Sequence, residues 1–221
     1  MTQTFSRTDQ ELNAAVTEEL HYTPNVDAAA VDVVVNDGTV TLSGEVASLP
    51  ERLAAKQAAL RVGGVRNVVD KLVVRIPAQG PSDQDIAHAA GQFLQWAVDV
   101  PANAVNAEVK DHTITLSGQV GWDYQRVAAV RAVTYLKGVA RIDNRISLNQ
   151  SPPAPGTKAT VEAAMRRDAL LDPEKITVDL DGPELTLRGT VRSLAERHQA
   201  QHAAWSATGV TNVKTELLVI S

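Results

Sequence analysis

The chain has 221 residues, 44% of them hydrophobic, 21% charged and 4% aromatic, with a net charge of −5 and no cysteine. That composition suits a soluble globular protein and excludes a disordered or collagenous chain, a disulfide framework, thiolate metal sites and a cysteine nucleophile. The acidic excess, 26 Asp and Glu against 21 Lys and Arg, speaks against broad binding to nucleic acid, and no run approaches the roughly 18 apolar residues of a membrane span.

Met1–Gln10 lacks the apolar stretch of a secretory signal, which predicts a protein that stays in the cytoplasm. Next, Leu12, Val16 and Leu20 fall on one helical face. Val31, Val33 and Val35 then alternate as a strand with one buried face, and Asn36-Asp37-Gly38 supplies turn chemistry before a second strand whose inward residues are Val40 and Leu42. Ser48-Leu49-Pro50-Glu51 fits a capping box and opens a second helix with a small inner stripe, Ala55, Ala58 and Ala59. Gly64 is expected to end that helix in a left-handed conformation with Val65 as its apolar partner, and Val68, Leu72 and Val74 mark a last strand.

The same order recurs twice. GTVTLSGEV from Gly38 returns as HTITLSGQV from His112 and PELTLRGTV from Pro183, so Gly44 maps to Gly118 and Gly189 at offsets of 74 and 71. GGVRNVVDKLVV from Gly63 returns as KGVARIDNRISL and TGVTNVKTELLV, so Gly64 maps to Gly138 and Gly209 at those same offsets. In each copy the two glycines lie 20 apart, and the length difference falls in the linkers Pro77–Ser82 and Asn149–Thr157. A period near 70 is too long for a solenoid and predicts a string of small domains, 1–77, 78–150 and 151–221. Each is expected to be an α+β unit of order αββαβ, a three-stranded sheet with two helices on one face and its last strand parallel to the second through a crossover helix. Gly44, Gly118 and Gly189 sit in or just after a strand, where glycine is destabilising unless a bulge or a close backbone approach needs it, and they are read as structural.

A helix, V-x-V-x-V, G-x-V-T-L-x-G-x-V, an alanine-bearing helix and G-V-x-x-V-x-x-x-L-x-V together resemble the BON domain family of osmotically inducible and nodulation-related bacterial proteins. The resemblance runs from about Asp9 to Ile220 in three copies, the third departing at Arg188, where the others have Ser43 and Ser117, and in a weaker first helix. It implies a non-enzymatic protein with roles in envelope integrity and osmotic stress that binds phospholipid surfaces or envelope-associated protein. In one cytoplasmic branch it implies potassium binding.

Among side chains that carry chemistry, no nucleophile elbow, phosphate loop or H-E-x-x-H occurs, so neither an enzyme nor a cofactor is expected. His198 and His202 lie four apart and would present two imidazoles to a metal, but only Glu196 is near as a third ligand and the other copies have Leu53, Gln57, Val127 and Arg131 there. His21, His88 and His112 stand isolated. Arg52, Arg126 and Arg197 coincide near the start of the second helix, where the helix dipole disfavours a cation, which marks them for phosphate headgroups or an acidic partner, or as stems shielding apolar surface. Trp96, Trp122 and Trp205 fall outside the shared core pattern and are candidate anchors between domains, at a membrane or at a protein surface, with local packing as the alternative. Asp70, Asn144 and Thr215 share one polar position in the last strand and are expected to bond nearby backbone rather than contribute oxygen to an ion site.

Overall fold

A computed structural model describes residues 8–149 and 155–220; the first seven residues and the centre of the second linker lie outside it. In the first copy α1 (Asp9–His21) leads to β1 (Val31–Asn36), β2 (Thr39–Val46), α2 (Leu49–Arg61) and β3 (Asn67–Val74). The second copy comprises α3 (Asp83–Trp96), β4 (Val105–Lys110), β5 (Thr113–Val120), α4 (Asp123–Thr134) and β6 (Arg141–Leu148). The third comprises α5 (Thr157–Arg167), β7 (Ile176–Asp181), β8 (Glu184–Val191), α6 (Leu194–Trp205) and β9 (Asn212–Val219). There are three separate three-stranded sheets, each with its second strand in the middle. The boundary between compact units does not follow the repeat, since Glu45–Leu53 belong with Leu72–Asn149.

Each core follows from the apolar periods. Leu12, Val16 and Leu20 of α1, Ile86, Ala90 and Leu94 of α3, and Val161 and Met165 of α5 are buried, as are Val40 and Leu42, Ile114 and Leu116, and Leu185 and Leu187 of the central strands. The alternate residues face outward, Val34 and Val73 among them, so only one sheet face is covered. On that face Ala55, Ala58 and Ala59 of α2, Ala129 and Val133 of α4, and Ala200 and Ala204 of α6 are buried, because a small side chain lets the helix axis come close.

The hairpins pair with two-residue loops, Asn36 opposite Thr39, Lys110 opposite Thr113 and Asp181 opposite Glu184. Both loop residues have positive φ in the first two copies, Asp37 and Gly38, then Asp111 and His112, which matches the right-handed twist of the flanking strands. His112 has no glycine's freedom and is held from three directions. The Asp83 carboxylate accepts the N–H groups of Asp111 (2.8 Å) and His112 (2.9 Å), and the His112 Nδ1–H donates to the Gly138 carbonyl (2.9 Å). His112 is therefore not isolated. Asp9 accepts from Asp37 and Gly38 in the same way, so the first residue of the opening helix clamps the hairpin in both copies. Those amide bonds, that of His112 foremost, hold the Asp83 carboxyl below its ordinary range.

β5 and β6 run parallel, Leu116 opposite Asn144, as do β8 and β9, Leu187 opposite Thr215. Backbone bonds from Ala140 to His112 and from Asn149 to Val120 flank the β5–β6 pair, and in the first copy Arg66 bonds Gly38 and Arg75 bonds Val46 at the corresponding places. The crossover helix starts on its capping box. Ser48 Oγ accepts the Glu51 N–H (3.3 Å) and Ser193 Oγ the Glu196 N–H (3.1 Å). The buried carboxylates reach back one residue beyond the cap, Glu51 to the Ala47 N–H (2.7 Å) and Glu196 to that of Arg192. Where Trp122 replaces the serine, the Gln125 carbonyl takes the N–H groups of both Gly121 and Trp122 at 3.0 and 3.1 Å.

Gly64, Gly138 and Gly209 have φ of 96°, 83° and 81°, left-handed as expected. They do not follow the helix directly. The helices stop three or four residues earlier, and the chain continues in tight turns such as Val62 N–H to Ala59 O before the glycine reverses it. Gly44, Gly118 and Gly189 also have positive φ, at 119°, 136° and 129°, and lie opposite Val31, Val105 and Ile176. A Cβ there would stand 2.2, 2.1 and 1.9 Å from the carbonyl oxygens of Ala30, Ala104 and Lys175. Those carbonyls belong to short turns leading into the first strand, two of them 3₁₀ turns (Ala28–Ala30 and Pro173–Lys175) that the sequence periods do not announce.

The third copy explains its own departures. Arg188 sits between two carboxylates on the flanking strands, 2.8 Å from Asp179 and 2.8 Å from Glu216, and Glu216 also pairs with Lys214. At the Asp179 and Glu216 positions the other copies have Val34 and Lys71, then Glu108 and Arg145, so an arginine here finds two anions only in this sheet. Lys214 first, then Arg188, holds the Glu216 carboxyl down to about 2, against an ordinary 4.5. Between those values the unfolded chain binds the proton and the folded chain does not. The contribution is thus complete above pH 4.5 and disappears as pH falls through about 2. The protection of β9 amides, taken relative to the intrinsic exchange rate at each pH, is expected to fall on acidification through this window, and Glu216→Gln should remove part of that fall; an identical protection profile in the variant would contradict the assignment.

Candidate functional site

The three coincident arginines do not share an environment. Arg126 forms an ion pair with Asp123, whose counterparts are Leu49 and Leu194, so its charge is already partnered on its own helix. All three arginines are half-buried, a placement in keeping with stems that cover apolar surface.

His198 and His202 stand exposed on α6. Partial burial, then the charges of Arg197 and Lys56, push the His198 imidazole below its ordinary range. Cations beside an imidazole oppose a metal ion there, and among the described residues no group of three or more His, Asp or Glu could hold one. In the last strand, Asn144 Oδ1 accepts the Ile146 backbone N–H at 3.0 Å as expected, whereas Thr215 Oγ1 accepts from the Gln201 side chain (2.8 Å).

The tryptophans separate into two kinds. Trp205 packs against the core of the third copy, and its counterparts Leu60 and Thr134 are buried, so this position does belong to the shared core pattern; the last turn of the helix faces the sheet there. Trp96 and Trp122 are exposed, and both are in the second copy. Trp96 is 72% exposed beside Phe93, ring centroids 6.2 Å apart, and Trp122 stands 6.5 Å from Tyr124. Between the end of α3 and the outer face of α4 runs a shallow groove of about 550 Å³ lined by Val98, Tyr124, Val127 and Tyr135, with Asp99 and Arg131 at its polar positions. Val98 is 98% and Tyr135 74% exposed.

Sequence reasoning found the two tryptophans but missed Phe93, Val98, Tyr124, Val127 and Tyr135. The signal was available, since these residues lie off the inward period of their helices and loop and, Leu53 at the Val127 position aside, the other copies have no large apolar residue at these places. Isolated exposed apolar residues are ordinary, whereas seven concentrated within and just beyond the two helices of one copy, four of them lining a single groove, are of the kind that marks an interaction surface. What the patch can do is bind an apolar or interfacial surface. No acid–base or nucleophile arrangement is built into it.

The sequence matches the family described as BON domain over residues 8–76, 82–150 and 155–221. No curated protein matches the chain. Among solved structures it is similar to CdsD, a structural protein of the type III secretion system of Chlamydia trachomatis, at 13% identity over 95% of this chain and 92% of that one, with a TM-score of 0.26. A structure of the PrgH periplasmic domain matches at 12% identity over 86% of this chain and 95% of that one, with a TM-score of 0.21.

Proposed function

Since the chain belongs to the BON domain family in all three of its repeats, we propose that it is a non-enzymatic binding module whose second copy docks on a phospholipid surface. The observation that carries this reading is the concentration of exposed apolar side chains in the second copy, Val98, Tyr124, Val127 and Tyr135 around the groove with the ring pairs Phe93–Trp96 and Trp122–Tyr124. Tryptophan and tyrosine rings combine an apolar body with a polar edge, which suits the headgroup level of a bilayer, and the fully protruding Val98 adds an aliphatic tip. No helix among the described residues is long and apolar enough to cross a membrane, so the contact would be peripheral. With Arg126 already paired to Asp123, apolar insertion rather than the three arginines supplies most of the attachment.

Sedimentation with vesicles of phosphatidylglycerol and phosphatidylcholine tests the proposal. Exposed large apolar side chains contribute about 1.5–3 kcal/mol each on full burial, so Phe93→Ser with Trp96→Ser is expected to weaken vesicle binding about tenfold or more. Arg52→Ala with Arg197→Ala should weaken it less, with a modest salt dependence. Unchanged binding by the aromatic double variant would sink this reading. A melting temperature raised by potassium and not by equal sodium would favour an ion-responsive module instead, and capture of an envelope-associated protein without vesicle binding would favour a protein partner.

A further inference from the structure

Within the compact unit that contains Glu45–Leu53 and Leu72–Asn149 lies a second cleft of about 540 Å³, which shares Tyr135 alone with the aromatic groove. Its walls come from Ser48 and Pro50 at the start of α2, the segment from Val74 to Pro81, and the turn from Tyr135 to Val139 that carries the left-handed Gly138. Volume and lining fall within the range of small-molecule sites, which are mostly apolar with a few placed polar groups.

The lining selects the ligand. Val74, Ile76, Leu136 and Val139 present aliphatic carbon and the prolines add more, while Tyr135 is the one aromatic ring. Such walls favour an aliphatic body with few polar atoms of its own. Arg75 and Lys137 also line the cleft and no carboxylate does, although the chain as a whole carries a net charge of −5. This local positive excess calls for an anion. Neither cation is a requirement of the repeated fold, for at the offsets of 74 and 71 Arg75 corresponds to Asn149 and Lys137 to Gly63 and Thr208. Glu51, one residue past Pro50, is buried and accepts the Ala47 N–H at 2.7 Å, while its own N–H donates to Ser48 Oγ at 3.3 Å, so these two amides are engaged and the anion is left to the two side chains.

We infer that this cleft binds a single-chain aliphatic carboxylate from solution, its anion held by Arg75 and Lys137 and its chain laid against Val74, Ile76, Leu136 and Val139. This function is separate from docking on a membrane. The test is titration of the full-length protein with decanoate below its micelle concentration, followed through backbone amide shifts. Saturable one-to-one binding is expected, with shifts centred on Arg75, Ile76 and Lys137–Val139. Decanol, which has the chain without the charge, and acetate, which has the charge without the chain, should each bind about tenfold or more weakly. Arg75→Gln with Lys137→Gln should weaken decanoate by a similar factor, and because both side chains are exposed the variant is expected to fold. Phe93→Ser with Trp96→Ser should leave decanoate binding intact, which separates failure here from failure of the vesicle reading. Shifts centred elsewhere, no saturation, or equal binding by the double cation variant would overturn the assignment. So would a dimer in sedimentation whose dilution moves the same amides, which would give the cleft to a second copy of the chain.

Discussion

Replacing Gly118 by alanine is expected to destabilise the second copy severely while leaving the third intact. Gly118 lies in β5 at φ 136°, and a β-carbon would stand 2.1 Å from the Ala104 carbonyl oxygen and 3.1 Å from both the Ala104 carbon and the Val105 Cα. All three are backbone atoms of the turn that opens β4, so relief would require parting β4 from β5 at the Val105–Gly118 pair. Strain of this kind, combined with a conformation that L side chains rarely adopt, puts the expected loss above about 3 kcal/mol. A domain of this size holds only about 4–10 kcal/mol in all. Amide exchange read strand by strand in the full chain is the measurement. Protection in β4, β5 and β6 should fall by about a hundredfold or more, with β7, β8 and β9 unchanged. Undiminished protection in β5 would mean that the close approach to Ala104 is not a feature of the folded protein.

Gly138→Val is the second large effect. At φ 83° the residue is left-handed, which costs a β-branched side chain about 1–2 kcal/mol or more. The added carbon would also lie 2.7 Å from Pro81 Cγ and 3.2 Å from Ile86 Cδ1, against the buried end of α3. The substitution further disturbs the turn whose Gly138 carbonyl accepts the His112 imidazole, loosening one of the supports of the β4–β5 hairpin. The second copy should melt about 8 °C or more lower by calorimetry, taking about 4–8 °C for each kcal/mol in a domain of this size. Gly121→Ala serves as the control. A β-carbon there would meet only Gln125 Oε1 at 3.7 Å, so the melt should hardly move, and equal effects at the two positions would contradict the turn assignment.

Repetition made the fold legible. A glycine alone, or one run of alternating valines, admits many structures, but the same periods at the same spacing in three copies leave one order of elements. The capping boxes at Ser48 and Ser193 and the buried faces of all six helices followed from local rules, because capping and amphipathic period involve residues within a turn or two of each other. The helix ends were less legible. Gly64, Gly138 and Gly209 carried the expected left-handed conformation, yet the helices had already given way to tight turns a few residues before them.

The candidate site was only half visible. Trp96 and Trp122 could be singled out by residue type, whereas the patch needed the end of α3 laid beside α4 before Val98, Tyr124 and Tyr135 became neighbours. Residue type alone leaves Trp205 open between an anchor and local packing, and it packs against a core, since the side of a helix end that faces the sheet depends on the packing angle. The cleft of Arg75 and Lys137 unites residues more than 60 positions apart in sequence, which no motif announces.

The sequence by itself determined the number of copies, the order of helices and strands in each, the buried residues and the positions where glycine is needed, because all of these rest on short-range periodicity and on repetition. Only the tertiary structure decided why those glycines are needed, that Asp9 and Asp83 clamp distant hairpin turns, and which exposed side chains gather around the α3–α4 groove. Those outcomes depend on which atoms chain folding brings within a few ångströms across a dozen residues or more, and a linear pattern carries no measure of that distance.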